Sequence, residues 1–213
     1  LANFEKASEV SGHGFYYLLG DIARMELALV NFAVDLLIKK GYTFVEPPLM
    51  LRRKPYEGVT DLKDFETMMY KIEDEDLLLI ATSEHPIAAM HMDEILDEKK
   101  LPMKFVGFSP CFRKELGSHS LDTRGIFRVH HFNKVEQFIF CKPEDSWKLH
   151  EELLKNAEEI FQKLKIPYRV VNISTGDIGT VAAKKYDIEA WFPRENLYRE
   201  VISCSNCTSY QSV

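Results

Sequence analysis

The sequence has 213 residues, of which 46% are apolar and 28% charged, the ordinary balance of a globular protein with a sizeable core. Its net charge of −6 argues against a surface that binds nucleic acid over its whole extent, because phosphate binding needs clustered positive charge. No apolar run is long enough to cross a membrane, the first residues do not resemble a signal peptide, and four cysteines favour a reducing compartment over a disulfide scaffold. We therefore expect a cytoplasmic protein without a membrane partner.

Hydrophobic periodicity and turn residues predict alternating helices and strands in the first two thirds of the chain. Residues 21–40 carry apolar side chains at helical spacing, between a possible cap at Asp21 and a stop at Gly41. Strands are predicted at 42–45 and 76–81, and a second helix at 86–98. Two longer strands, 104–115 and 126–141, flank a polar loop, which predicts a hairpin with an unusually long tip.

The last third of the chain contains the clearest helix, predicted at 143–165, and three shorter strands at 168–173, 186–192 and 197–204. Strands dominate the middle and the end of the chain, and helices flank them. This order is typical of an α+β domain built on a mostly antiparallel sheet, and we expect one domain over residues 1–213.

Charged and aromatic residues alternate along the predicted strand 126–141. Alternate side chains of a strand share a face, so one face is expected to carry Arg128, His130, Phe132, Lys134 and Glu136, and one face of the partner strand Arg113 and Glu115. An aromatic ring can stack on a base, a guanidinium can bind phosphate oxygens, and a carboxylate can bind an ammonium group. The pattern alone leaves an ordinary exposed sheet face with cross-strand ion pairs as an equal alternative.

Several segments resemble the signature motifs of the class II aminoacyl-tRNA synthetases, in the form that the seryl-tRNA synthetase family has. Residues 112–115, 122–125 and 127–132 resemble motif 2, and residues 41–48 resemble motif 1. Residues 82–84 resemble the serine-binding loop, residues 134–136 the strand end with a serine-contacting carboxylate, and residues 199–208 the late ATP-binding strand. The likeness runs from about Phe4 to Gln211, and the motifs stand in the family's order.

The resemblance implies a function and a set of site residues. It implies ATP-dependent activation of L-serine to seryl-adenylate, transfer of serine to serine tRNA and by the same likeness selenocysteine tRNA, and a homodimer. Arg113 is the implied catalytic residue. The implied serine-binding residues are Thr82, Ser83, Glu84 and Glu136, and the implied ATP-binding residues are Arg113, Lys114, Glu115, Arg128, Val129, Phe132, Glu200, Val201, Ile202 and Ser203.

Two motifs have competing structural interpretations. Thr82 and Glu84 could equally cap the predicted helix 86–98, and both roles are compatible. Glu200 and Ser203 are expected to bind Mg²⁺ with ATP, because this hard cation prefers oxygen ligands, although a polar strand face is the alternative. Cys204 and Cys207 supply only two of the four ligands that zinc requires, so we interpret them as structural.

The sequence also departs from the family pattern. His131, Ile202 and the pair Ser209-Tyr210 replace the usual residues, and Ser120-Leu121 stands where the loop usually has Gly-Arg. The likeness includes neither motif 3 nor the N-terminal tRNA-binding arm, so we expect a catalytic core that is part of something longer. A non-catalytic synthetase-like module that binds an amino acid or nucleotide, and a structural dimerisation unit, remain as alternatives.

Overall fold

The computed structural model describes residues 2–61, 66–114 and 126–212. The chain divides into two compact units, one formed by residues 1–94 and 104–138 and the other by residues 95–103 and 139–213. None of the helices in the described ranges has both the length and the apolar character that crossing a membrane demands.

In its described residues, the first unit combines four α-helices with three small sheets. Its helices are α1 (Phe4–Ser11), α2 (Asp21–Lys39), α3 (Arg53–Val59) and α4 (Glu84–Ala89). The strands β1 (Ala2–Asn3) and β2 (Tyr17–Leu18) form an antiparallel pair, as do β4 (Met50–Leu51) and β5 (Leu78–Leu79). The third sheet has the order β3 (Thr43–Val45), β6 (Met103–Phe112) and β7 (His131–Phe140), with β3 parallel to β6.

A buried tyrosine ties the core of the first unit to the segment that follows β5. Tyr56 is fully buried, and its hydroxyl donates to the carbonyl of Leu79 at 3.2 Å and accepts the Ala81 N–H at 3.3 Å. Burial raises the pKa of this phenol, so the hydroxyl stays protonated and available as a donor. The backbone just before the Thr82 motif is therefore held by the core. The surrounding apolar cluster consists of Leu51, Met69, Leu78 and Ile80.

The second unit is a three-stranded antiparallel sheet covered by one long helix. The helix α5 (Ser146–Leu164) follows a 3₁₀ turn at Pro143–Asp145 and ends at Lys165, whose φ of 56° places it in the left-handed region. The strands β8 (Tyr168–Asn172), β9 (Lys184–Phe192) and β10 (Leu197–Asn206) lie in the order β10-β9-β8. The core between helix and sheet contains Leu154, Ala157, Phe161, Ile188 and Ala190.

The predicted α+β class is confirmed, and most predicted elements are present within a few residues of their expected ends. The predicted helix 86–98 is wrong in extent, because α4 covers only Glu84–Ala89 and Asp93 has a φ of 62°, which a right-handed helix cannot accommodate. The predicted strand 126–141 begins only at His131. The expected loop at 116–125 lies outside the described residues.

A close backbone approach explains why the strand begins late. The N–H of His130 donates to the carbonyl of Gly14 at 2.9 Å instead of to a neighbouring strand. Gly14 has a φ of 84°, and a Cβ there would lie 2.4 Å from Cδ2 of His130, so only glycine fits. The imidazole of His130 stacks on Phe15 and meets the hydroxyl of Tyr70 at 2.6 Å from its Nδ1.

Candidate functional site

The predicted serine-binding residues Thr82 and Glu136 are in direct contact in the first unit. Thr82 Oγ1 donates to Glu136 Oε2 at 3.2 Å and accepts the N–H of Glu84 at the same distance. The ammonium of Lys134 forms an ion pair with the same Oε2 of Glu136. Thr82 is 3% exposed, and the Glu136 side chain is 17% exposed, so this carboxylate is held in place at the edge of solvent.

Arg113 lies beside this cluster and is fixed by three contacts. Its Nε donates to the carbonyl of Ala81 at 3.1 Å, its backbone N–H donates to the carbonyl of His130 at 2.9 Å, and its guanidinium lies over the Phe132 ring, 5.2 Å from the centroid. Among the described residues it has no ion-pair partner. No described residue accepts a hydrogen bond from the terminal N–H groups of the guanidinium, which are the donors that match carboxylates and phosphates.

The other predicted ATP residues of motif 2 have different environments. The backbone N–H of Lys114 donates to the carbonyl of Met68 at 2.7 Å, and its ammonium lies over the Tyr70 ring. Arg128 is exposed and Val129 is 4% exposed. Glu115 lies outside the described residues.

Strand alternation places only part of the predicted face as expected. Phe132, Lys134 and Glu136 alternate within β7 and share a face. Arg128 and His130 precede the strand, so the prediction that they join this face by alternation is wrong.

The predicted serine-binding residue Ser83 is fully buried. Its Oγ lies 3.0 Å from where a Cβ of Gly107 would be, so any contact with a substrate would use its backbone. Its role as a serine-binding residue stays a prediction.

The loop that carries Thr82 also leads into a helix, as the capping alternative requires. The N-cap of α4 is Ser83, which makes no side-chain capping bond, and Glu84 is the first helical residue. Thr82 Oγ1 nevertheless accepts the Glu84 N–H. The hydroxyl of Thr82 thus stabilises the helix start and orients Glu136 at the same time.

His85 is a buried member of the cluster that the sequence motifs did not single out. It is 2% exposed, and its ring meets Tyr56 edge-on with 5.0 Å between centroids. Burial, and secondly the positive charges of Lys134 and Arg113, lower its pKa to about 3, although Glu136 opposes the shift. The imidazole is therefore neutral at physiological pH. Its position directly after the Thr-x-Glu motif was the available signal.

In the second unit, a β-bulge brings Glu200 and Ser203 to the same face of β10. Residues three apart on a regular strand point to opposite sides. The register shifts between Glu200 and Ile202, so that Glu200 pairs with Glu189 and Ser203 with Asp187. Directly paired residues lie on the same side of a sheet, and so do positions 187 and 189. Because Val201 is an extra residue in the strand, Glu200 and Ser203 lie on the same face.

This face has the oxygen chemistry that Mg²⁺ prefers. Glu200 and Ser203 are exposed, and Oδ1 of Asp187, on the same face, has no hydrogen-bond partner among the described residues although Asp187 is only 5% exposed. Within the described parts of the chain no group of three or more acidic, His or Cys residues could hold a metal by itself. The face fits a cation that takes its remaining ligands from water and phosphate oxygens.

The cysteine pair lies at the end of the same strand. Cys204 is buried, and its Sγ lies 4.0 Å from the carbonyl oxygen of His150. Cys207 is partly buried, and neither thiol forms a disulfide. These contacts agree with the structural interpretation of Cys204.

Comparison with known proteins places the chain in a family. The family described as tRNA synthetase class II core domain (G, H, P, S and T) matches residues 68–213. The chain therefore belongs to the class II tRNA synthetases. A serine–tRNA ligase of Methanospirillum hungatei is 68% identical over 212 residues, which are all of this chain and 50% of that protein.

Solved structures agree with this assignment. The seryl-tRNA synthetase of Pyrococcus horikoshii, complexed with ATP, superposes with a TM-score of 0.97 at 61% identity, over 99% of this chain and 47% of that one. The cytoplasmic serine–tRNA ligase of Naegleria fowleri, in complex with AMP, gives 0.94 at 49% identity, over 99% and 51%. The chain thus spans about half the length of the curated relatives it matches.

Because the imidazole of His85 is buried, we predict that it lowers the free energy of unfolding in acid. The unfolded chain binds the proton near pH 6.5, whereas the folded protein resists it down to about pH 3. The contribution of His85 is therefore complete above pH 6.5 and decreases by about 1.4 kcal/mol per pH unit as the pH falls towards 3. Urea unfolding at pH 7, 6 and 5 should show a shallower loss for His85→Gln than for the wild type. His13→Gln, at an exposed histidine, is the control; equal pH slopes in all three proteins would contradict the assignment.

Proposed function

We propose that the full-length protein activates L-serine with ATP to form seryl-adenylate and pyrophosphate, and then transfers serine to the terminal ribose of serine tRNA. The observation that supports this most is the contact between Thr82 and Glu136 beside a guanidinium with no ion-pair partner among the described residues, at Arg113. The relatives named above are serine–tRNA ligases, and one of them was solved with ATP.

The first step needs alignment and charge neutralisation more than acid–base catalysis. The serine carboxylate is already ionised near neutral pH, so it can attack the α-phosphorus directly while the bond to pyrophosphate breaks. Arg113 would bridge the carboxylate and the α-phosphate through its terminal N–H groups, because Nε already donates to Ala81. Phe132, under the same guanidinium, would stack on the adenine.

Glu136 and Thr82 would select serine over amino acids without a donor in the side chain. Thr82 is buried and Glu136 lies at the edge of solvent, so a substrate that offers these polar groups no partner loses binding energy. Glu84 would complete this pocket.

Mg²⁺ would bind at Glu200 and Ser203, on the face that the bulge at Val201 creates. When bound, the ion would neutralise the phosphates of ATP. The carboxylate and hydroxyl of this chain would hold it, and backbone groups near Val201 and Ile202 would lie against the nucleotide.

Homodimer formation would cover an apolar surface of the first unit. Met25 and Leu29, which periodicity predicts to be buried, are 53% and 42% exposed, and Leu27 is 59% exposed. A groove on the same unit is lined mainly by apolar residues, among them Val45, Pro47, Pro48, Ile87 and Met90. Met25 and Leu29 are four residues apart and therefore share a face of α2, and exposed apolar faces are typical of protein interfaces.

Light scattering of Met25→Lys should give a monomer where the wild-type protein gives a dimer; an unchanged mass would refute this interface.

The cytoplasm, where the components of translation are found, is the proposed location.

The direct test of the function is serine-dependent exchange of pyrophosphate into ATP by the full-length protein. Threonine, alanine and glycine are compared with serine, and Mg²⁺ is omitted in a parallel series. Exchange that requires both serine and Mg²⁺ is the expected result. Binding of serine or ATP without exchange would favour the non-catalytic alternative.

Removal of the Arg113 guanidinium should abolish this exchange. We expect Arg113→Ala to lower the rate by about a hundredfold or more, the usual cost of losing one preorganised donor to a developing charge. Arg113→Lys should recover little, since an ammonium lacks the planar fork. Arg53→Ala, which removes an exposed arginine paired with Glu57, is the control. Normal exchange by Arg113→Ala would end the assignment.

Substitution of Glu136 should change the KM for serine rather than the KM for ATP. Glu136→Gln keeps the shape but removes the charge, so we expect the KM for serine to rise about tenfold to a hundredfold, as for the loss of a charged hydrogen bond. The KM for ATP should stay within twofold. Glu9→Gln, at an exposed carboxylate paired with Lys6, is the matched control. Equal increases in both KM values would show that Glu136 has no selective role towards serine.

A further inference from the structure

The two oxygens of the Glu136 carboxylate are used unequally. Lys134 Nζ and Thr82 Oγ1 both contact Oε2, whereas Oε1 receives no hydrogen bond from any residue in the described ranges. A carboxylate held through one oxygen has a fixed orientation and a second oxygen with free lone pairs. No described hydrogen bond therefore competes for Oε1.

Titratable and charged side chains from several elements surround the ammonium of Lys134. Glu84 and His85 face it from α4, and Cys111 and Arg113 lie nearby at the end of β6. Burial alone would lower the pKa of Lys134, but the carboxylate of Glu136, with Cys111 and Glu84, outweighs burial and raises it. The side chain is 28% exposed, so its charge is only partly screened by water. Lys134 therefore remains an ammonium at physiological pH.

We propose that Lys134 is a positioning residue for the amino-acid substrate: it holds Glu136 through Oε2 so that Oε1 receives a donor of serine, the ammonium or the hydroxyl. This inference rests on the proposed function and adds a residue to it. Lys134 does not touch the substrate in this arrangement. Its effect is to keep the carboxylate oriented.

The loss of Lys134 has a consequence that a merely structural role lacks. Without the ammonium, Glu136 keeps Thr82 as its only partner in the described structure. A carboxylate with one partner is less firmly oriented, so the direction of the Oε1 lone pairs is no longer fixed. Serine binding should then weaken, while ATP binding stays unchanged.

The test compares Lys134→Met, Lys134→Arg and the wild type in the full-length protein. Lys71→Met, at an exposed lysine paired with Glu66, is the matched control. For Lys134→Met we expect a KM for serine about tenfold higher or more at pH 7.5 and an unchanged KM for ATP. Lys134→Arg should restore part of the serine affinity, because it keeps the charge. Thermal melts check that each variant is folded.

A second measurement does not depend on activity. At pH 7.5 the carboxyl ¹³C resonance of Glu136 should differ between Lys134→Met and the wild type, because the ammonium no longer contacts Oε2. If the wild type shows no serine-dependent exchange, the proposed function fails, while the resonance still tests whether Lys134 controls Glu136. If exchange is present but Lys134→Met keeps the wild-type KM for serine, or the resonance is the same in both proteins, the positioning role is overturned.

Discussion

The arrangement of the first unit depends on the pairing between the segment 80–82 and the end of β6. The N–H of Phe112 donates to the carbonyl of Ile80, and Nε of Arg113 donates to the carbonyl of Ala81. Because Thr82 follows directly, one short pairing fixes both the guanidinium proposed to bind anions and the hydroxyl proposed to select serine. The Tyr56 hydroxyl, bound to Leu79 and Ala81, connects this pairing to the core. Accurate placement of reacting groups needs rigid support of this kind.

In the second unit, a β-bulge rather than a hydrogen-bonded pairing of segments forms the candidate site. A regular strand would separate Glu200 from Ser203, and one inserted residue brings them to the same face. The opposite face of β10 keeps its own function, since Ile202 packs against the core and Cys204 is buried beneath α5. The bulge therefore lets one strand present the side-chain oxygens of Glu200 and Ser203 on one face and keep its apolar side.

Sequence periodicity predicted what regular backbone determines and failed where the backbone is irregular. Phe132, Lys134 and Glu136 share a face because β7 is a regular strand. The helix α2 is also regular, and it ends within one residue of its predicted end. The bulge at Val201 and the left-handed residue Asp93 are set by tertiary context, and no local pattern indicated them. The contact of His130 with Gly14 joins residues more than a hundred positions apart, which is why the face that was predicted to include His130 is shorter. Motif resemblance supplied Thr82, but not the environment of His85.

The electrostatics of the cluster assign different roles to its two cations. Lys134 is neutralised by Glu136, whereas the contacts of Arg113 with described residues are a carbonyl, through Nε, and an aromatic face, neither of which cancels its charge. Both cations lower the pKa of His85, so the imidazole adds no third positive charge. Among the described residues, none compensates the charge of Arg113. An anion that enters would be drawn to this guanidinium, while a cation or hydroxyl would find Oε1 of Glu136. A substrate with both groups on one small carbon skeleton, as an amino acid has, satisfies both at once.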